Sequence, residues 1–372
     1  MRSWVMGFAV LLLVTCAAAV GSWGSDAPPD CTGIYAALNG TVLFGNNEDY
    51  GDVETFIWFS PARAEGGYGA VFYGLADRYP QGGMNERGLS FDHFGQPVQA
   101  VTGSSHLPAP PLKPRNGEWI YQMLERCESV DEALAYLGQY NLWFFDRFQL
   151  LLGDRYGDAA AIEGDRVVRK TGDTFVLTNF LLSQPYLGNY PCWRYEEACR
   201  ILREASYPSV ETIRDALDAT HTSSTCYSNV HLPKTGDVFV YDMHDFDRAL
   251  TFNVWEELAH GAREFELREL FEIATRRSPQ DDIDLNGRRA DFSWYGTAVE
   301  YEIVLSVRSD LSNAIVYLAA GCPACESSRR ISRTVSHLFS NTTYYWILRA
   351  KGDEGFWTES SIYRFTTGAD SD

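Results

Sequence analysis

Asp30-Cys31-Thr32-Gly33-Ile34-Tyr35-Ala36-Ala37-Leu38-Asn39-Gly40-Thr41-Val42-Leu43-Phe44-Gly45-Asn46-Asn47-Glu48-Asp49 is the stretch that decides the fold. Asn39-Gly40 separates two runs rich in apolar residues. It is a strong hairpin signal, because a two-residue type I′ turn needs two residues that tolerate positive φ. Cys31 therefore opens a strand of an antiparallel sheet. It also follows directly on a segment built like an export signal. If everything before it is removed, one residue supplies both a thiol and a free α-amine able to take the thiol proton.

The leader starts Met1-Arg2, continues with an apolar stretch from Trp4 to Val20, and ends in small and polar residues up to Pro29. This reads as a secretory signal over residues 1–21, cut after Gly21 or Gly24, and then a short propeptide over residues 22–30. Export to the periplasm or the extracellular space is the expectation. As a permanent membrane span the segment is interrupted by Gly7, Thr15 and Cys16 and is near the lower length limit. Leu13-Val14-Thr15-Cys16 loosely resembles a lipoprotein cleavage box that would anchor the chain through Cys16. The Thr before the Cys departs from that pattern, and cleaved export is the preferred reading.

The roughly 340 residues that remain favour two domains. Hydrophobic residues at 45% and aromatic residues at 14% support a packed core. A net charge of −19 without a basic cluster argues against nucleic-acid and anionic-membrane partners. Of eight cysteines, Cys16 leaves with the signal. Cys127, Cys192, Cys199, Cys226, Cys322 and Cys325 have the parity to pair in an oxidising compartment, leaving Cys31 as the odd thiol. No metal-binding spacing and no phosphate-binding glycine loop is present, and no cofactor is expected.

Outward from the hairpin, alternating strand-like sequence runs to Phe94, and the Pro-rich stretch Leu107 to Pro114 then leads into helices. Trp119 to Glu125 is one helix, and Ser129-Val130-Asp131-Glu132 is a capping box that opens another. Strands are predicted at Phe148–Leu152, Ala159–Ile162, Val167–Val168 and Phe175–Leu177, helices over Trp193–Glu204 and Val210–Leu217, and strands over Thr225–Val230 and Val238–Tyr241. This order suits two antiparallel sheets with helices on their outer faces, a four-layer α/β/β/α sandwich of class α+β. A last helix is predicted over Trp255–Thr275, then a polar linker Arg276–Asp282. The domain boundary is placed near 280, giving domains 31–278 and 279–372.

Beyond the boundary, short strands with Gly, Asn and Ser turns indicate a small all-β sandwich. Leu338 to Ala350, with Tyr363-Arg364-Phe365-Thr366-Thr367, resembles the last strands of a fibronectin type III domain. Trp294 and Tyr301 fall at that family's core aromatic positions, and Tyr344 at its tyrosine corner. The resemblance implies a spacer or a contact to a cell surface or polymer, without shared chemistry. Cys322-Pro323-Ala324-Cys325 has CxxC spacing but lies between sandwich strands, so a local loop disulfide is the expectation rather than a redox or metal role. Asn39-Gly40-Thr41 and Asn341-Thr342-Thr343 match the glycosylation sequon, which only a eukaryotic secretory host would use.

Four segments carry a second resemblance: Cys31-Thr32-Gly33, Phe44 to Tyr50, Gln81 to Asp92, and Val176-Leu177-Thr178-Asn179. Together with Thr225 to Val230 and Gly236 to Tyr241, they resemble the choloylglycine hydrolase and penicillin V acylase family, linear-amide hydrolases of the N-terminal-nucleophile class. The match runs over about residues 31 to 257. It implies that Cys31 becomes the first residue by removal of the propeptide and attacks an amide. It implies that Asp49 orients the α-amine, that the Asn179 side chain donates to the oxyanion, and that the Gly95 backbone N–H is the second donor. Arg194 matches the family arginine near the nucleophile at an unusually short spacing. Read on their own, Asp49 and Asn179 are also ordinary turn residues and Arg194 a surface helix residue.

One departure bears on substrate. The Gly-Arg-Asn-x-Asp of the family's bile-salt hydrolases is here Gly45-Asn46-Asn47-Glu48-Asp49, so a cation beside the cysteine is replaced by Asn46, and Glu48 adds negative charge expected to raise the thiol pKa. An N-acyl compound other than bile salts or penicillin V is expected. His93 is a candidate substrate contact or a structural histidine, and Ile57-Trp58-Phe59 and Leu142-Trp143-Phe144-Phe145 are candidate linings of an acyl pocket or core. The expected activity is hydrolysis of a small N-acyl amide, with acyl transfer as a variant on the same residues. A reading from another class is a surface-binding protein that has lost catalysis.

Overall fold

The computed structural model describes residues 30–63, 65–187, 190–271, 274–279, 281–321 and 329–369. The predicted leader up to Pro29, with Cys16, and the Cys322 and Cys325 motif lie outside the described residues. In chain order the first part comprises β1 (Thr32–Leu38), β2 (Thr41–Asp49), β3 (Thr55–Ser60), β4 (Ala70–Leu75), β5 (Pro80–Asn85), β6 (Ser90–Gly95), α1 (Glu118–Arg126) and α2 (Val130–Leu137). There follow β7 (Phe148–Gly153), β8 (Ala159–Glu163), β9 (Arg166–Arg169), β10 (Thr174–Leu177), α3 (Trp193–Glu204) and α4 (Val210–Thr220). The part closes with β11 (Thr225–Leu232), β12 (Asp237–Asp242), β13 (Arg248–Asn253), α5 (Val254–Ala259) and β14 (Arg263–Glu266).

The β1–β2 hairpin forms as its turn chemistry dictates: Asn39 and Gly40 have φ of 51° and 87°, and Leu38 pairs with Thr41. One sheet runs β10-β1-β2-β11-β12-β13 and the other β14-β3-β4-β5-β6-β7-β8-β9. Strand alternation sorts side chains into layers. On the outer face of the first sheet, Ile34, Ala36 and Leu43 pack under Ala198 and Leu202 of α3 and Ile213 and Leu217 of α4. On the outer face of the second, Phe72, Phe91 and Leu150 pack under Ile120 and Leu124 of α1 and Val130 and Leu137 of α2. Between the sheets, Tyr35 and Phe44 meet Phe94 and Leu151, while Ile57, Phe59 and Val71 meet Val238, Val240 and Leu250. The four-layer α/β/β/α order is thus realised. Gly33 lies where the sheets approach closely: a Cβ there would sit 2.5 Å from Phe94 Cζ and 2.8 Å from Leu151 Cδ2.

The helix predicted over Trp255–Thr275 is mostly absent. The α5 helix ends at Ala259, Gly261 at φ 90° turns the chain, and β14 then pairs with β3. Apolar residues at Trp255, Leu258, Leu267 and Leu270 imitate a helical period across what is a helix, a turn and a strand. The expected linker is also structured in part, because Ala274–Ser278 is β15 and pairs with a later strand.

The C-terminal part continues with β16 (Ile283–Asp284), β17 (Arg289–Gly296), β18 (Glu300–Ser306), β19 (Ile315–Ala320), β20 (Arg329–Ser336), β21 (Thr343–Lys351), β22 (Trp357–Ser360) and β23 (Tyr363–Thr366). One sheet is β15-β17-β20, and the other is built from β19, β18, β21, β22 and β23, with β16 beside β23. Their shared core includes Phe292, Trp294, Tyr301 and Trp346, with the Trp294 and Tyr301 rings 5.2 Å apart. Tyr344 accepts the Phe339 N–H at 2.9 Å, the bond expected of a tyrosine corner. The sandwich is not hung on a free linker. β22 pairs with both β21 and β13, so one sheet runs from the first part into the second. Phe356, just before β22, is buried among Phe59, Phe252 and Phe265, with ring centroids 5.0–6.0 Å away.

Four of the cysteines expected to pair, Cys127, Cys192, Cys199 and Cys226, are free thiols. Cys192 and Cys199 are seven residues apart along α3, about 10 Å of helix rise, beyond disulfide reach. Cys127 and Cys226 lie in different core layers.

Candidate active site

Cys31 stands at the entrance of β1, 1% exposed, and its side chain belongs to the layer between the sheets. β10 lies antiparallel to β1 with Gly33 opposite Leu177, which brings the residues after β10 beside the start of β1. The Cys31 N–H accordingly donates to Asn179 Oδ1 at 2.8 Å. Asn179 Nδ2 donates to the Gly95 carbonyl at 3.1 Å. Gln149 holds this segment, its Nε2 donating to the carbonyls of Thr178 at 2.6 Å and Phe180 at 3.3 Å.

Arg194, in the first turn of α3, is buried against the same point. Its Nη1 donates to the Cys31 carbonyl at 2.5 Å and to Thr32 Oγ1 at 3.3 Å. Its Nη2 donates to Asn179 Oδ1 at 3.0 Å and to Asp30 Oδ1 at 2.9 Å. A buried guanidinium needs this many acceptors to offset the loss of water. Arg194 is therefore no surface helix arginine.

Asp49 ends β2. Its Oδ1 accepts from the Thr225 hydroxyl, and its Oδ2 is buried without a partner. Burial pushes its carboxyl up to about 7; the Thr225 hydrogen bond and the Arg194 charge pull the other way, and Asp30 adds to the rise. Burial also pushes the Cys31 thiol well above its usual range. Glu48 and Asp49 raise it further, and a backbone hydrogen bond from Asp49 opposes them. With Asp30 still attached, the thiol is held protonated and no amine is present to activate it.

Beneath Cys31 the inter-sheet layer is polar. Gly33, Asn46 and Asn229 are cross-strand neighbours on β1, β2 and β11, and Glu48 stands opposite Tyr227. Both amide atoms of Asn46 and Asn229, Glu48 Oε2 and both carboxyl oxygens of Asp92 on β6 are buried without a hydrogen-bond partner. Burial raises the Glu48 and Asp92 carboxyls; Asp49 adds to the first and Glu48 to the second. Two like charges in one buried layer repel, so each acid favours its protonated form. Asn47 points the other way, its Nδ2 donating to the Leu217 carbonyl at 2.9 Å and its Oδ1 accepting from Ser228 Oγ at 2.7 Å.

The structure thus brings Asp49, Asn179, Arg194, Gly95 and Asn46 around Cys31, and it leaves His93 outside. His93 is on the outer face of β6, where its Nδ1 is 3.2 Å from the Gln81 carbonyl and its ring packs on Tyr79, Phe91, Trp119 and Phe148. Burial lowers its pKa to about 4. Strand alternation is the reason: Asp92 and Phe94 face inward, so His93 cannot. Gly95 meets Asn179 through its carbonyl and not its N–H. Ile57 and Phe59 are inter-sheet core, and Trp58 and Phe145 pack under the α1–α2 layer. Thr32, Asp92, Thr225 and Asn229 stand within the quoted motifs but carry no role there, and Gln149 lies outside them; all five border the site. The two-residue period of a strand, which turns Asp92 to the same face as Phe94 and Asn229 to the same face as Tyr227, was the available signal.

A protonated thiol whose own main-chain nitrogen is held by an amide oxygen, beside a buried guanidinium and a carboxyl, can become a nucleophile–base pair once the peptide bond before it is cut. No family model matches the chain, and no curated protein sequence does. Solved structures similar to it include penicillin V acylase from Agrobacterium tumefaciens, 18% identical over 57% of this chain and 82% of that one, with a TM-score of 0.44. A mutant of the conjugated bile acid hydrolase from Clostridium perfringens is 15% identical over 63% of this chain and 96% of that one, with a TM-score of 0.46. The Caenorhabditis elegans ortholog of N-acylethanolamine-hydrolyzing acid amidase is 15% identical over 55% of this chain and 93% of that one, with a TM-score of 0.41.

Proposed function

We propose that the chain is an exported cysteine N-terminal-nucleophile hydrolase that cleaves a linear, non-peptide C–N amide of a small N-acyl compound. Removal of the residues before Cys31 makes it active. The observation that carries this reading is the hold on Cys31: Asn179 Oδ1 takes its N–H while Arg194 takes its carbonyl. Asn179 thereby holds the nitrogen that removal of Asp30 would turn into an α-amine, and Arg194 fixes the same residue from its other side.

In the mature chain that N–H is an α-amine with an ordinary pKa of about 7.7–8.0, a base poised near neutral pH. The amine takes the thiol proton as Cys31 Sγ attacks the amide carbonyl. The leaving amine receives that proton, and water then cleaves the acyl thioester. Asp49 and Asn179 orient the amine, and Arg194 offsets the negative surroundings. The C-terminal sandwich serves as a fibronectin type III-like contact module fused to the catalytic sheet.

Intact-mass measurement on the mature protein tests the first step, with Cys31 as the first residue expected. A panel of N-acyl amides then compares wild type with Cys31→Ala. Retention of Asp30, or equal turnover by the variant, overturns the reading.

A further inference from the structure

Maturation would take one partner away from Arg194, and that partner is a carboxylate. Nη2 donates to Asp30 Oδ1 at 2.9 Å, joining an arginine side chain that is 5% exposed to an acid that is 57% exposed. Once the Asp30–Cys31 bond is cut, Nη1 keeps the Cys31 carbonyl and Thr32, and Nη2 keeps Asn179 Oδ1. The direction occupied by Asp30 then opens to solvent from a deep, fixed cation.

Cleavage of the Asp30–Cys31 bond by Cys31 itself would make this position chemically meaningful. Cys31 Sγ attacks the Asp30 carbonyl carbon, the C–N bond breaks, and its electron pair stays on the Cys31 nitrogen, which takes up the thiol proton. The products are an aspartyl thioester and a free α-amine. Water then adds, the C–S bond breaks, and the thiol returns as Asp30 leaves with a new carboxylic acid. Asp30 would thereby be the first acyl group the site processes. Its side-chain carboxylate is separated from the reacting carbonyl by two carbons and rests on Arg194.

We propose that the Arg194–Asp30 contact marks the acyl subsite of the mature enzyme, and that the favoured substrates carry a carboxylate separated from the reacting carbonyl by two carbons, as succinyl and aspartyl groups do. This rests on the function proposed above. A guanidinium suits that role, since it is permanently charged and its planar donor edge matches a carboxylate. Asp49, within the field of Arg194, is the charged group opposing the anion, and its carboxyl takes up a proton at mildly acidic pH.

The test uses the chain shown by mass to begin at Cys31, with the succinyl and the neutral succinamoyl amides of 7-amino-4-methylcoumarin. The succinyl amide is expected to show at least about tenfold higher kcat/KM, close to what one charge-assisted hydrogen bond supplies. Arg194→Gln is expected to collapse that ratio towards one, whatever it does to the absolute rate. Succinate, the product, is expected to protect Cys31 from iodoacetamide where butyrate does not. Equal kcat/KM for the two amides, or equal protection, overturns the acyl preference and leaves the amidase reading standing. Failure of the Cys31-first chain to cleave either amide, or a chain that keeps Asp30, overturns both.

Discussion

The N–H of Cys31 and the side-chain oxygen of Asn179 meet at 2.8 Å across 148 residues of chain. That oxygen also receives Arg194 Nη2 at 3.0 Å, so one atom sets the position of both the prospective amine and the cation beside it. Maturation would turn the amide N–H into an amine or ammonium, and the bond would become charge-assisted and stronger.

Asn179→Ala is expected to lower kcat, because it removes the oxygen that positions the amine base and also the amide that the family resemblance assigns to the oxyanion, a donor whose loss alone costs about 10²–10³-fold. Asn179→Asp keeps an oxygen for the amine but loses the donor to the Gly95 carbonyl. It is expected to retain more processing than Asn179→Ala, measured as the fraction of chains beginning at Cys31. Equal processing in the two variants would contradict the acceptor role.

The hairpin, the two sheets and the first four helices were legible because each rests on local chemistry: Asn39-Gly40 for the turn, Ser129 for a helix start, helical periodicity for the other helices, alternation for the strands. That Cys31, Asp49 and Asn179 come together was legible through their motifs. The face each residue occupies was harder to read. His93 is polar beside a site residue, yet one step along a strand reverses direction. The bridge made by β22 was not legible either, since a strand four residues long carries no mark of the second partner it takes.

Glu48→Gln is expected to make Cys31 alkylate faster at alkaline pH. An ionised Glu48 raises the thiol pKa, so removing its charge lowers it. Burial is the larger cause and remains, so the thiol stays above its ordinary range. The check is the pH dependence of iodoacetamide labelling in wild type and variant. An unchanged profile would place Glu48 electrically out of reach of Cys31.

Stability should fall as pH rises across the range set by Asp49. Its carboxyl is at about 7 folded against an ordinary value of 3.8. Below about pH 4 the acid is protonated in both states. Between there and about 7 the folded chain holds a proton the unfolded chain has lost, so that stabilisation drains away as pH rises. The raised Glu48 and Asp92 carboxyls act with the same sign. In the Cys31→Ala chain, which stays unprocessed, Tm is expected to be about 5 °C lower at pH 8 than at pH 5, with Asp49→Asn flattening the slope. A Tm that rises over this interval would contradict the assignment.

The C-terminal sandwich is expected to unfold together with the first part and not as an independent module. β22 takes hydrogen bonds from strands on both sides: Thr358 is opposite Leu250 of β13 and Ala350 of β21. Phe356 fills a site bounded by Phe59, Phe252 and Phe265. Phe356→Ala should cost about 3–5 kcal/mol, the range for emptying a buried phenylalanine site. It should lower a single calorimetric transition, because the lost contacts belong to the first part while the residue belongs to the second. A chain ending at Phe271 would leave β13 as a bare sheet edge beside an unfilled apolar site, and aggregation is the expected result. Two well-separated transitions in the intact chain, with Phe356→Ala moving only the C-terminal one, would show instead that the shared sheet does not couple the two parts.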